Sequence, residues 1–239
     1  MSYTTNPGRR TGLLYLLVSI PGAFALLYVP GKLLVDGNPA ATLSNIAAAE
    51  PLFRLGLAAE LISQALFILV ALALYDLFRE VNQRQAALMV TLIVASIPIA
   101  FLNELNAIAT LLLVHGGGFV SAFDQPQRDA LAMLFVRLHG QGFDVAAIFW
   151  GLWLFPLGLL VYRSGFVPRI LGVLLIANCF TYLANSLTSL AMPHYADIVA
   201  RWMVPLQFGE LLFMLWLLIM GANPLPAASR AASGDGGRA

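Results

Sequence analysis

The sequence predicts an all-α, polytopic membrane protein: six transmembrane helices in a bundle, with short cytoplasmic turns and longer outer loops. Three observations carry this. Hydrophobic residues make up 60% of the 239-residue chain and charged residues only 10%, against roughly 45–50% and about 25% in soluble domains. The apolar residues gather into runs near or above the roughly 20 residues that a helix needs to cross about 30 Å of hydrocarbon. Arginines cluster at the ends of those runs. Helices are the spanning form because an open strand in lipid leaves backbone groups unpaired.

The first span covers residues 11–35, with breaks expected at Pro21-Gly22 and Pro30-Gly31. A cleaved leader ending at Ala23-Phe24-Ala25 is the competing reading, but the apolar character continues to Val35, as in a retained span. The next spans cover residues 55–78, 86–114, 139–161, 170–191 and 204–220. Between the first two, Asp36-Gly37-Asn38-Pro39 signals a turn, and residues 42–50 read as a short surface helix. Gly116-Gly117-Gly118 opens the next long loop, where Asp124-Gln125-Pro126 caps a helix over residues 127–137. Residues 1–222 thus form one six-helix membrane domain, and residues 223–239 read as a disordered cytoplasmic tail.

With six spans both termini share a side, which holds eight of the thirteen lysines and arginines: Arg9, Arg10, Arg79, Arg84, Arg163, Arg169, Arg230 and Arg238. The positive-inside rule places that side in the cytoplasm. A net charge of +1 argues against a nucleic-acid partner. Membrane lipids are the expected surroundings. The lone Cys179 cannot form an internal disulfide and reads as a small core residue.

Ionisable groups inside spans are rare and point to function. Three spans pair an arginine at their outer mouth with a carboxylate further in: Arg54 with Glu60, Arg137 with Asp144, Arg201 with Glu210. The third span brings Asn103, Glu104 and Asn106 to the same level, and the fifth brings Asn185. Helical phase puts Arg137, Gln141 and Asp144 on one face, Glu60 with Gln64 on another, and Gln207 with Glu210 on a third. Glu210 lies about 180° round the helix from Arg201, and Arg137 and Asp144 sit roughly 10 Å apart along theirs, so any ion pairs are expected between helices. Four acids (Glu60, Glu104, Asp144, Glu210) against three arginines leave one negative charge for a proton, a metal or a cationic ligand. The candidate ligand-binding residues are therefore Glu60, Gln64, Asn103, Glu104, Arg137, His139, Gln141, Asp144, Asn185 and Glu210. Interhelical hydrogen-bond glue is the plainer reading of the same residues.

No metal spacing, phosphate loop or dinucleotide fingerprint occurs, so no cofactor and no metal is assigned. A metal, if one bound, would draw on His139, Asp144, Glu60 and Glu104. Gly8 and Gly12 form a GxxxG that straddles Arg9-Arg10 and is read as having no packing role. Phe149, Trp150, Trp153 and Phe155 read as packing or lipid contacts rather than a cofactor box.

Several stretches carry a family likeness. They are Gly8 to Leu16, Asn45-Ile46 with Glu50-Pro51-Leu52-Phe53-Arg54-Leu55-Gly56, and, most specific, Leu138-His139-Gly140-Gln141-Gly142 with Ile148-Phe149-Trp150-Gly151-Leu152 and Arg163-Ser164-Gly165-Phe166-Val167-Pro168-Arg169. These resemble the bacterial multi-pass membrane family known as domain of unknown function 4386. The resemblance spans roughly residues 7–221 and implies a retained six-helix domain in a bacterial inner membrane; it assigns no reaction, and no catalytic residues carry over from it.

The expected function is to bind or move a small ligand or cation in an acid-rich polar cavity in the outer half. Two alternatives are a membrane-embedded lipid-modifying hydrolase or transferase and a structural scaffold. Whether the chain is an enzyme, and its oligomeric state, the residues leave open.

Overall fold

The computed structural model describes residues 6–203 and 208–223. The proposed tail, apart from Asn223, and Gln207 lie outside them. Among the described residues there are helices and no strands. Six helical stretches are long and apolar enough to cross a membrane: Pro7–Leu33, Glu50–Phe78, Gln83–His115, Gln125–Ser164, Arg169–Ala191 and Pro193–Met220. The chain is therefore a multi-pass membrane protein.

The first stretch comprises α1 (Pro7–Ala23), a π-helical stretch (Phe24–Tyr28) and α2 (Val29–Leu33). The helix runs through both prolines instead of breaking at them. Pro30 has no N–H, and its ring would collide with the carbonyl one turn earlier. The wider π-helical turn, in which Val29 N–H bonds Phe24 O, absorbs this without ending the helix. Asn6 caps α1 by accepting from Arg9 N–H at 3.2 Å, and also accepts from Ala222 N–H at 2.9 Å.

The short helix α3 (Pro39–Ala48) starts three residues before the expected boundary, because Asn38 caps it and Pro39 opens it. The spans α4 (Glu50–Phe78) and α5 (Gln83–His115) form a hairpin around a turn at Arg79 to Asn82. At 33 residues, α5 is about 50 Å long and reaches beyond the hydrocarbon layer.

The loop helix expected at 127–137 and the fourth span are one helix, α6 (Gln125–Leu152), begun by a capping box between Asp124 and Gln127. The span breaks at Trp153, and α7 (Leu154–Ser164) completes it. Pro156 explains the break: it cannot donate to Leu152 O, so the ladder is interrupted there. After α7 come α8 (Arg169–Ala191), a short amphipathic α9 (Ala196–Met203) and α10 (Phe208–Met220).

Small residues set the closest crossings. Gly8 N–H donates to Ala222 O at 3.0 Å, and a Cβ on Gly12 would lie 2.5 Å from Leu218 N. The GxxxG is thus the α1–α10 packing face, against the sequence expectation. Gly158 and Gly172 do the same for α7 and α8.

The largest dry core lies toward the end where α4 and α7 finish. It joins Phe67, Leu74, Phe78, Met89, Ile93, Trp153, Leu157, Leu160, Leu175 and Phe213, with Cys179 buried among them as expected. Arg9, Arg79, Arg84, Arg163 and Arg169 stand at the helix ends on that side. The buried carboxylates Glu60 and Glu104 lie in the other half.

Candidate functional site

Two cavities interrupt the packing of the acid-bearing half. The first, of about 210 Å³, lies among α2, α4, α5 and α6. Its walls are mainly aliphatic (Leu26, Val29, Leu33, Leu57, Ala107, Val136), and its polar groups are Glu60, Glu104, Thr110 and His139. The second, of about 300 Å³, lies among α1, α4, α6, α8 and α10 and is lined by Tyr15, Ser19, Gln64, Trp150, Tyr182 and Glu210, among others. Glu60 lines both.

The geometry of the first cavity begins with Asn103. A Cβ on Gly142 would overlap the Asn103 side chain, so only glycine lets α6 approach here. In that notch Asn103 Nδ2 donates to His139 O at 2.9 Å, and Asn106 Nδ2 donates to Asn103 Oδ1 at 3.1 Å. This fixes the register of α5 on α6. Glu104 and His139 consequently meet, Oε1 to Nε2, at 3.2 Å. The ring of Phe143 stands edge-on to the His139 ring at 4.7 Å and holds its orientation.

Glu60 faces this pair across the cavity. It is 2% exposed, and Glu104 is 3% exposed. Glu60 Oε1 accepts from Gln64 Nε2 at 2.8 Å. Glu60 Oε2 and Gln64 Oε1 have no hydrogen-bond partner among the described residues. At a helix centre in the bilayer each charge costs about 2.5–3.5 kcal/mol on insertion scales.

The arginines do not neutralise the four acids. Arg54 instead pairs with Glu50 in its own helix at 2.5 Å, and His115 Nε2 reaches the other Glu50 oxygen at 3.0 Å. The expectation of strictly interhelical pairs is corrected here, since Glu50 lies one turn from Arg54 on α4. Arg137 and Arg201 are exposed and make no ion pair among the described residues.

The ten candidate residues therefore divide. Glu60, Glu104 and His139 share the first cavity, with Asn103 supporting them. Gln64 and Glu210 face the second, where the Tyr15 hydroxyl donates to Glu210 Oε1. Asp144 accepts from the Ser189 hydroxyl at 2.6 Å, which ties α6 to α8. Arg137 and Gln141 lie on the exposed side of α6. Asn185 on α8 has an unpartnered Oδ1. None of these last four lines either cavity. Among the described residues no three His, Cys, Asp or Glu side chains converge as metal ligands, and Asp144 is bonded to Ser189 and does not line the cavity that Glu60, Glu104 and His139 share.

Tyr15, Ser19, Trp150 and Tyr182 belong to the second cavity and were absent from the candidate set. A signal existed: Tyr15, Ser19 and Gly22 recur at i, i+4 and i+7 along the first span and mark one polar, small-residue face.

Over 78 residues the chain is 40% identical to an uncharacterised protein of Archaeoglobus fulgidus, a match covering 33% of this chain and 45% of that relative. The chain thus spans less than half of the relative's length. No solved structure matches. Residues 10–221, nearly the whole helical bundle, match the family described as Domain of unknown function (DUF4386), and the protein is a member of that family.

Proposed function

We propose that the protein binds a small ligand with a cationic end and an apolar body in the first cavity. The cationic end sits between Glu60 and Glu104, and the aliphatic walls take the rest. The observation that carries this reading is the charge balance: two buried carboxylates face one cavity, and among the described residues His139 is the only basic side chain lining it. His139 lies against Glu104 and leaves Glu60 for a ligand. A scaffold would be expected to pair every buried group, and the free Glu60 Oε2 favours a binding role over that reading.

In the proposed orientation both termini and the arginine-rich helix ends face the cytoplasm of a bacterial inner membrane, with the first cavity toward the opposite face. Calorimetric titration of octylamine, with 1-octanol as an uncharged control of the same length, tests the binding reading. Saturable binding of the amine and none of the alcohol is expected. Equal binding of both would remove the role of the carboxylates.

A further inference from the structure

The second cavity poses a chemical demand that the first does not. Three of the residues that line it each carry a buried polar atom with no partner among the described residues: the acceptors Glu60 Oε2 and Gln64 Oε1 and the donor Trp150 Nε1. Glu60 is 2% and Gln64 6% exposed, so bulk water does not serve them. Aromatic side chains surround these atoms: Tyr15, Phe67, Trp150, Trp153 and Tyr182. Glu210 adds a second carboxylate, held by the Tyr15 hydroxyl and paired with no lysine or arginine among the described residues.

A matching ligand must supply positive charge, N–H donors for the two acceptors, and one acceptor for the indole N–H. A bare metal ion satisfies the carboxylates but not the indole. A quaternary ammonium suits the aromatic faces but has no N–H to give. We propose that this cavity binds a primary ammonium carrying an acceptor oxygen close by, the chemistry shared by a free amino alcohol and by an ethanolamine lipid headgroup. Glu60 and Glu210 hold the charge, Gln64 accepts an N–H, and Trp150 donates to the oxygen. The inference concerns the second cavity; the two cavities share Glu60, and Glu210 and Trp150, which line only the second, test it apart from the reading above.

The test uses the full chain in phosphatidylcholine nanodiscs and calorimetric titration with ethanolamine, tetramethylammonium and ethylene glycol. Ethanolamine is expected to bind at least about tenfold more tightly than the other two, from its charge-assisted N–H bonds. Glu210→Gln is expected to weaken ethanolamine about tenfold or more. Trp150→Phe, which keeps a ring but loses the N–H, is expected to weaken it about three- to tenfold and decides the matter if Glu210→Gln does not fold. Asp144→Asn, at a residue that lines neither cavity, should leave ethanolamine binding intact. Repeating the titration in discs containing phosphatidylethanolamine distinguishes the source: loss of the ethanolamine signal assigns the headgroup, and its persistence assigns the free amine. Ethanolamine binding no tighter than tetramethylammonium or ethylene glycol, or unchanged in both Glu210→Gln and Trp150→Phe, overturns the proposal.

Discussion

His139 on α6 meets Glu104 on α5 at 3.2 Å, and the contact depends on Asn103 seated against Gly142 one helical turn along from the histidine. The pair is thus a product of backbone register. Gly142→Ala should force the two helices apart, because the new Cβ overlaps Asn103. Overpacking of this kind costs about 1–3 kcal/mol, and amine binding should fall with it. Thermal unfolding in detergent together with octylamine titration checks both. A variant that melts like the wild type and binds like it would show that the α5–α6 register is not held here.

Glu60 offers a different test, since its Oε2 is buried without a partner. Removing the charge should relieve a desolvation cost, so Glu60→Gln is expected to melt at or above the wild-type temperature while losing ligand binding. The direction follows from the cost of an unsatisfied buried group, about 1–3 kcal/mol. A clearly lower melting temperature would mean that the carboxylate serves the fold.

The α1–α10 crossing can be probed through its glycines. Gly12→Leu places a side chain where the Leu218 backbone already sits and should lower stability by about 1–3 kcal/mol. Gly31→Leu, at an exposed position with nothing within 4 Å of the new Cβ, should change it little. Paired thermal melts decide, and equal losses would contradict the assignment of Gly8 and Gly12 as a packing face.

The six spans were legible because hydropathy and length suffice for them. The helix joints were not, since they depend on how prolines are accommodated. Pro30 is absorbed by a π-helical stretch, whereas Pro156 interrupts its helix at Trp153. Half of the candidate site was legible through its charges. Glu60, Glu104 and His139 could be nominated, but only tertiary register reveals that Asp144 turns to Ser189; the Arg54–Glu50 pair is local, one turn apart on α4, and was missed because the span was begun at residue 55 and not at Glu50. The aromatic and tyrosine side of the second cavity escaped because Tyr15 and Trp150 are uncharged and look like packing residues. The GxxxG was misread because Arg9 and Arg10 interrupt it, yet Arg9 reaches the Ile219 carbonyl at 3.1 Å and leaves the glycine face free.

The proposed orientation makes a labelling prediction. In a Cys179→Ala background, a cysteine replacing Gly117 on the long loop should react with a membrane-impermeant maleimide in intact spheroplasts. A cysteine replacing Gln83, beside Arg79 and Arg84, should react only after lysis. The reverse pattern would invert the orientation without altering the fold.

The measurement closest to the central claim is calorimetric titration of octylamine into wild type, Glu104→Gln and Asp144→Asn, all in phosphatidylcholine nanodiscs. Glu104 lines the first cavity, and Asp144 does not. If the cavity holds a cationic end between Glu60 and Glu104, Glu104→Gln should weaken octylamine about tenfold or more, and Asp144→Asn should bind as the wild type does. Undiminished binding by Glu104→Gln, or equal loss in both variants, would contradict the account.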